Sequence, residues 1–400
     1  MTVTVSQLIQ ALEPSATMAM AAKAKELKAA GKTIYDLSLG EPDFATPAHI
    51  CEAAVAAMRN GHTHYTVASG IPELKKAVVK QYHERYGLEY PPEHVVISNG
   101  AKHAIHNVFA CLLDPGDEMI IPAPYWVSYA ELVKLTGAVP VIVNTPQSNG
   151  FKLTADALRD AITPKTKALL LCSPSNPTGT MYSREELQAL ADVVLDTNLV
   201  VVADEIYDRL IYTGQPYAGF PTVRPGLKDH TVVINGVSKT YAMTGWRIGW
   251  AIAPNKAFAR AMGDLQSQET SNPCSISQYA AIAAIEGPQD CVETMRQEFD
   301  ARRRYVASRL DAMPGLSCPK MEGAFYAFVN ISQHLGKTYG GVRVDQDSQW
   351  CLELLGQKGV ASVMGSAFGA PGYVRFSFAT SMENLASAMD AIEAFINEAK

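Results

Sequence analysis

Six short runs of this chain are apolar at successive positions, not at alternating ones. They are Val95 to Ile97 after His94, Met119 to Ile121 after Glu118, Val139 to Val143, Ala168 to Cys172, Leu199 to Ala203, and Val232 to Ile234. A strand that is apolar toward both of its faces is expected to be covered on both. Between the runs lie helical patterns. In Ser183-Arg184-Glu185-Glu186-Leu187, Ser183 can cap a helix and Glu186 can complete a capping box. Another helical pattern spans Ala104 to Leu113. Strand–helix alternation predicts an α/β fold, a sheet with helices on both sides, whose ligands sit beyond the carboxyl ends of the strands. The loops at those ends are Ser98 to Lys102, Pro124 to Trp126, Ser173 to Gly179, and Asp204 to Tyr207.

The pattern changes late in the chain. From about Asp290 to Met313 it predicts one long, charged amphipathic helix. Ala324 to Val329 and Tyr373 to Phe378 then read as strands, and a helix closes the chain. This predicts a smaller α+β domain formed by residues 1–47 and 301–400, beside a large domain of residues 48–300. No internal repeat points to an array architecture.

Charge and cysteine usage narrow the class. A formal charge of -6 lacks the basic surplus of a nucleic-acid binder. No run approaches the roughly 18 apolar residues of a membrane helix. The start, Met1 to Ser6, has no basic region followed by a long apolar stretch, so no secretory signal is expected. Seven scattered cysteines, with no CxxC pair, predict free and mostly buried thiols in a reducing compartment, the cytoplasm. The histidine pairs His62/His64 and His103/His106 have no further ligands at metal-site spacing, and no metal is expected.

The chemistry concentrates in Gly236-Val-Ser-Lys-Thr-Tyr-Ala-Met-Thr-Gly-Trp-Arg-Ile-Gly249. Lys239 follows a buried-strand pattern, and desolvation there disfavours its ammonium form and frees a nucleophilic amine. The hydroxyls of Ser238 and Thr244, with the Arg247 guanidinium, can hold a dianion such as a phosphate. An amine beside a phosphate grip suits an aldehyde-bearing phosphate ester, pyridoxal 5'-phosphate. Such a group needs four further aids. Asp204, at a strand end, can keep a ring nitrogen protonated. Tyr207 and Asn176 can donate to a phenolate oxygen. Trp126 can cover the ring. Gly100, Ala101 and Lys102 can open a helix N-terminus onto the phosphate. Arg375 is the candidate for a substrate carboxylate.

Together with Pro14 to Thr17, Ser38 to Phe44, Tyr65, Pro124 to Tyr129 and Asp204 to Tyr207, this string resembles class I pyridoxal-phosphate aminotransferases of fold type I. It resembles more closely the subgroup Ib aspartate aminotransferases. The resemblance implies a mostly parallel mixed sheet in the large domain. It implies that Lys239 is the imine-forming lysine and Asp204 the pyridinium partner. Asn176 and Tyr207 would meet the phenolate, Trp126 would stack, and Arg375 with the Gly40 backbone would hold the α-carboxylate. Tyr65 would reach the phosphate of a neighbouring subunit, implying a homodimer with shared sites. Lys102 and Thr17 would meet an acidic side chain, so aspartate and 2-oxoglutarate are the expected pair. His103 replaces an expected glutamine, and Glu13 stands where several relatives are basic. Aromatic or alkyl amino acids, prephenate, and a lyase reaction on the same fold stay open as alternatives.

Overall fold

The computed structural model describes residues 3–400; Met1 and Thr2, at the head of the N-terminal reading, lie outside the described residues. The main sheet has seven strands in the order Val95–Ser98, Gly249–Ile252, Thr231–Gly236, Val200–Asp204, Thr166–Cys172, Glu118–Ala123 and Val139–Asn144. All neighbours pair in parallel except Gly249–Ile252, which runs antiparallel to both of its partners.

The doubly apolar runs have a direct structural origin. Leu169, Leu171, Val201 and Ala203 join one cluster with Leu187, Leu190 and Val194 of the helix Arg184–Thr197. Ala168, Leu170, Val202 and Val232 point the other way, into a cluster with Ile105, Val108 and Phe109 of the helix Ala101–Leu112. Successive side chains of a strand face opposite sides, so both sides need apolar residues. Each fully buried aliphatic side chain contributes roughly 1.5–3 kcal/mol. One run departs from expectation. Val139–Asn144 is the edge strand, and none of its residues is buried, so it is not covered on both faces.

The helix Arg184–Thr197 has the expected capping box: Ser183 accepts from the Glu186 N–H, and Glu186 accepts from the Ser183 N–H. The helix Ala101–Leu112 starts three residues earlier than the apolar periodicity suggests, because Gly100 turns the chain with φ 85°. The long helix is Asp290–Ala312.

A second sheet holds Val363–Met364, Tyr373–Ser377 and Tyr326–Asn330, all antiparallel, with Tyr373–Ser377 in the centre. Its core includes Phe299, Val306 and Leu310 of the long helix, Trp350 and Leu354 of Asp347–Lys358, and Leu385 and Ile392 of Met382–Asn397. Met20, Ala24 and Leu37 of the N-terminal segment pack into the same cluster. All seven cysteines are free, but only Cys351 is buried, correcting the expectation of mostly buried thiols. The others flank strand ends and helix surfaces, where sequence hydrophobicity alone does not report depth. Among the described residues, no helix is long and apolar enough to cross a membrane.

Truncating Leu170, fully enclosed in the central sheet, to Ala should cost about 2–5 kcal/mol. Ile142→Ala on the edge, where the side chain is 38% exposed, should cost far less. Urea denaturation midpoints of the two variants check the contrast.

Candidate active site

The groups singled out in the sequence come from six different loops, and the sheet brings them to one edge. Asp204 ends its own strand. Asn176 follows Thr166–Cys172, Trp126 follows Glu118–Ala123, Lys239 follows Thr231–Gly236, and Gly100 follows Val95–Ser98, each within a few residues. Arg247 arrives differently. Since Gly249–Ile252 runs antiparallel, its first residue pairs with Gly236 and with Ser98 at that same edge. The residues just before this strand, not those after it, open onto the site.

Lys239 is partly buried, and its Nζ donates to the Gly40 carbonyl at 2.5 Å. Desolvation pulls its pKa down to about 8; Glu41 and Asp204 oppose the shift, while Arg247 and Arg375 add to it. Asp204 is 4% exposed. Its Oδ2 accepts from the Tyr129 hydroxyl at 2.6 Å, and its Oδ1 from the Ile206 N–H at 3.1 Å. Burial raises its pKa, and the Tyr129 hydroxyl, the Ile206 N–H and Lys239 hold the rise back. An incoming cation would complete what those two donors begin.

Gly100 and Gly249 shape the anion cradle. A Cβ on Gly100 would lie 2.2 Å from an Nη of Arg247, and one on Gly249 would lie 2.3 Å from the Ala101 nitrogen. The missing side chains let the arginine, the helix N-terminus and the strand end converge. The N–H groups of Ala101 and Lys102, at the first two positions of the helix, have no intrahelical acceptor. Ser238 is buried beside Lys239 and has no side-chain partner among the described residues. Arg247 is exposed, held by the carbonyls of Thr244 at 2.7 Å and Asn99 at 3.4 Å. Thr244 does not join the cradle: its hydroxyl donates to Glu41 at 2.8 Å, because the carboxylate is the stronger acceptor within reach.

Arg375 is 1% exposed on the central strand of the small sheet. It donates to Asn176 Oδ1 at 3.0 Å and to the Ser38 carbonyl at 2.7 Å, and its Nε has no partner among the described residues. Desolvation lowers its pKa. The Asn176 amide nitrogen has no protein acceptor among the described residues and remains available as a donor. The Tyr207 hydroxyl sits 2.9 Å from that of Tyr326, and Tyr326 lies under the Arg375 guanidinium at 4.5 Å. Lys102 Nζ stands 4.8 Å over the Trp126 ring; burial and Arg247 both lower its pKa. Lys102 also lines a cleft of about 600 Å3 together with Glu13, Pro14, Ser15 and Ala16. Thr17, the next residue of the helix Ala16–Ala29, is half-buried. Tyr65 is 90% exposed in the loop between the helices Ala48–Arg59 and Pro72–Tyr86.

Two members of the site were not singled out from sequence. Tyr129 closes the string Pro124 to Tyr129, and its position on the first turn of a helix after Trp126 is the signal that it returns to the sheet edge. Tyr326 lies inside the apolar run Ala324 to Val329 and reads as core.

An amine depleted of water facing a buried acid, with a cradle for an anion at its back, defines an enzyme built for amine and carbonyl chemistry. Residues 32–392, which contain all of these groups except Glu13 to Thr17, match the family Aminotransferase class I and II, and the chain belongs to that family. It is 50% identical over 388 residues to the aspartate aminotransferase of Geobacillus stearothermophilus, covering 97% of this chain and 98% of that one. It is 46% identical to the aspartate/prephenate aminotransferase of Cereibacter sphaeroides over 392 residues, 98% of each chain. The crystal structure of the aspartate aminotransferase from Rhizobium meliloti superposes with a TM-score of 0.96 at 41% identity, over 100% of both chains. That of the Thermus thermophilus aspartate aminotransferase with maleate does so at 0.92 and 40%, over 98% of this chain and 100% of that one.

Gly100→Ala should displace the Arg247 guanidinium and strain a left-handed backbone. The affinity of the protein for inorganic phosphate, read by isothermal titration calorimetry, should fall by about tenfold, the equivalent of one charge-assisted hydrogen bond.

Proposed function

We propose that this aminotransferase moves the amino group between L-aspartate and 2-oxoglutarate by ping-pong transfer, with pyridoxal 5'-phosphate bound at the sheet edge around Lys239. The observation that carries the reading is the pair formed by Lys239, its pKa lowered to about 8, and the buried, doubly hydrogen-bonded Asp204, at the ends of adjacent strands. The residues fit the group. The Gly100 and Gly249 cradle, Ser238, the free N–H groups of Ala101 and Lys102, and Arg247 suit a phosphate; Asp204 suits a protonated ring nitrogen; Trp126 suits a ring face. When bound, pyridoxal phosphate supplies an aldehyde that condenses with amines and a ring that accepts the electrons left by a departing proton.

The chain supplies the rest. Asp204, whose two oxygens accept from Tyr129 and the Ile206 N–H, holds a proton on the ring nitrogen. Tyr207 and the Asn176 amide donate to the ring oxygen. Arg375, with the Gly40 backbone, orients the substrate α-carboxylate and so aims its Cα–H at Lys239. Lys239 Nζ takes that proton as a base and returns it as an acid, a dual role suited to a pKa near the working pH. Lys102 and Thr17 meet the side-chain carboxylate, which fits the names of the aspartate aminotransferase relatives and the maleate, a dicarboxylate, of the Thermus structure. The aspartate/prephenate relatives favour prephenate as a second acceptor to be assayed, although the exposed Glu13 carboxylate at the Lys102 cleft opposes a bulky dianion.

The same proposal covers the assembly and organisation. The exposed Tyr65 supports a homodimer in which it reaches the partner's phosphate site. The shared core of Met20, Ala24 and Leu37 with the second sheet supports a small domain of residues 1–47 and 301–400 beside a large one of residues 48–300. The seven free thiols support a cytoplasmic location.

Lys239→Ala should abolish transamination and the visible absorbance that aspartate shifts in the intact enzyme; a variant that still transaminates refutes the assignment. Product must also depend strictly on an added 2-oxo acid, which a lyase would not require. Arg375→Lys should raise the KM for aspartate roughly 10–100-fold, since a point charge cannot replace a bidentate fork. The pH dependence has a definite sign. With its folded pKa lowered to about 8, Lys239 is increasingly deprotonated as pH rises through that value. The rate of cofactor capture by the cofactor-free protein, followed by stopped-flow absorbance, should therefore climb with pH and level off above about 8.

A further inference from the structure

One irregular segment touches two cations of the proposed site, Arg375 and Lys239. It leaves the small domain at Leu37, whose N–H and carbonyl bond to Ala361 and Ser377. The Ser38 carbonyl then accepts from Arg375, the Gly40 carbonyl accepts from Lys239, and the Glu41 carboxylate accepts from Thr244. It rejoins the large sheet region at Thr46, whose hydroxyl donates to the Ala242 carbonyl at 2.7 Å. Residues 38–44 form no helix or strand, so side-chain anchors fix their path. The firmest of these is Asp43. Arg302, in the middle of the long helix, donates to Asp43 Oδ1 at 2.6 Å with its side chain only 7% exposed. Its guanidinium stacks over Phe44 at 5.0 Å and Phe299 at 5.6 Å. Asp43 is the only carboxylate paired with this buried charge among the described residues.

We propose that the Arg302–Asp43 pair is a positioning device. It fixes the path of residues 38–44, and so places the carbonyls that receive Lys239 and Arg375, without itself touching substrate or cofactor. A buried guanidinium flanked by two rings has no other partner to turn to, so the carboxylate is held in one place. The segment it anchors carries two functional acceptors within five residues. The inference rests on the aminotransferase reading of Lys239 and Arg375.

Asp43→Asn is the primary variant, as it keeps the shape of the side chain; Arg302→Lys and Arg302→Met extend the series. Two readouts are used. The first is independent of turnover: the pH midpoint for trinitrobenzenesulfonate modification of Lys239 in the cofactor-free protein, followed on the Lys239 peptide by mass spectrometry. Loss of the Gly40 carbonyl and the Glu41 charge from the amine removes two groups that favour the ammonium form, so the midpoint should move down from about 8. The second is the KM for aspartate in the intact enzyme, expected to rise about tenfold with a smaller change in kcat, as for one misplaced charge-assisted hydrogen bond. Arg302→Lys should recover part of both effects, and Arg302→Met none. A variant that loses thermal stability but leaves the Lys239 midpoint and the KM unchanged overturns the proposal and makes the pair a stabilising contact only. Failure of the aminotransferase reading would show separately, as turnover that survives Lys239→Ala.

Discussion

The site depends on keeping one amine short of water. Lys239 follows a strand of which all six residues, Thr231–Gly236, are buried, and the Gly40 carbonyl reaches over it from a segment 199 residues away in sequence. In water a lysine amine stays protonated by several pH units. Here the cost of burying a charge, set against the partial compensation from Glu41 and Asp204, brings it to the working range. The antiparallel strand Gly249–Ile252, the glycines that let it pass beneath the helix Ala101–Leu112, and the central strand of the second sheet, which carries Arg375, all converge on this one poorly solvated edge.

Burial also separates the roles of the two carboxylates nearest the amine. Asp204 is enclosed and accepts two hydrogen bonds, so it is poised to meet a cation that arrives with a ligand. Glu41 is tied to Thr244 and acts on Lys239 only through its charge. Identical chemical groups thus acquire different tasks from their surroundings.

Much of this was legible in the chain itself. Continuous apolar runs disclosed six of the seven strands, and in five of them coverage on both faces accounts for the lack of alternation. The seventh, Gly249–Ile252, escaped because four residues opening on a glycine carry no β-branched run. Its absence also hid the reason Arg247 belongs to the site. The edge position of Val139–Asn144 was invisible, because an apolar pattern does not report where a strand lies in the sheet. Lys239, Asp204 and Asn176 could be argued from their places after buried strands. Arg375 needed the family resemblance, since a strand arginine reads equally well as solvated. Tyr326 hid inside a core pattern, and contacts such as Arg302 with Asp43, 259 residues apart, exist only once the chain is folded.

The unpaired Nε of Arg375 has a further consequence for discrimination. A guanidinium hidden from solvent, with two directions occupied by Asn176 and Ser38 and the third unmet, already carries an uncompensated penalty. On the proposed reading a compound bearing a carboxylate relieves that penalty, whereas a decarboxylated amine leaves it in place. Rejection of polyamines and other simple amines would then arise less from a closed door than from a debt only an acid can settle.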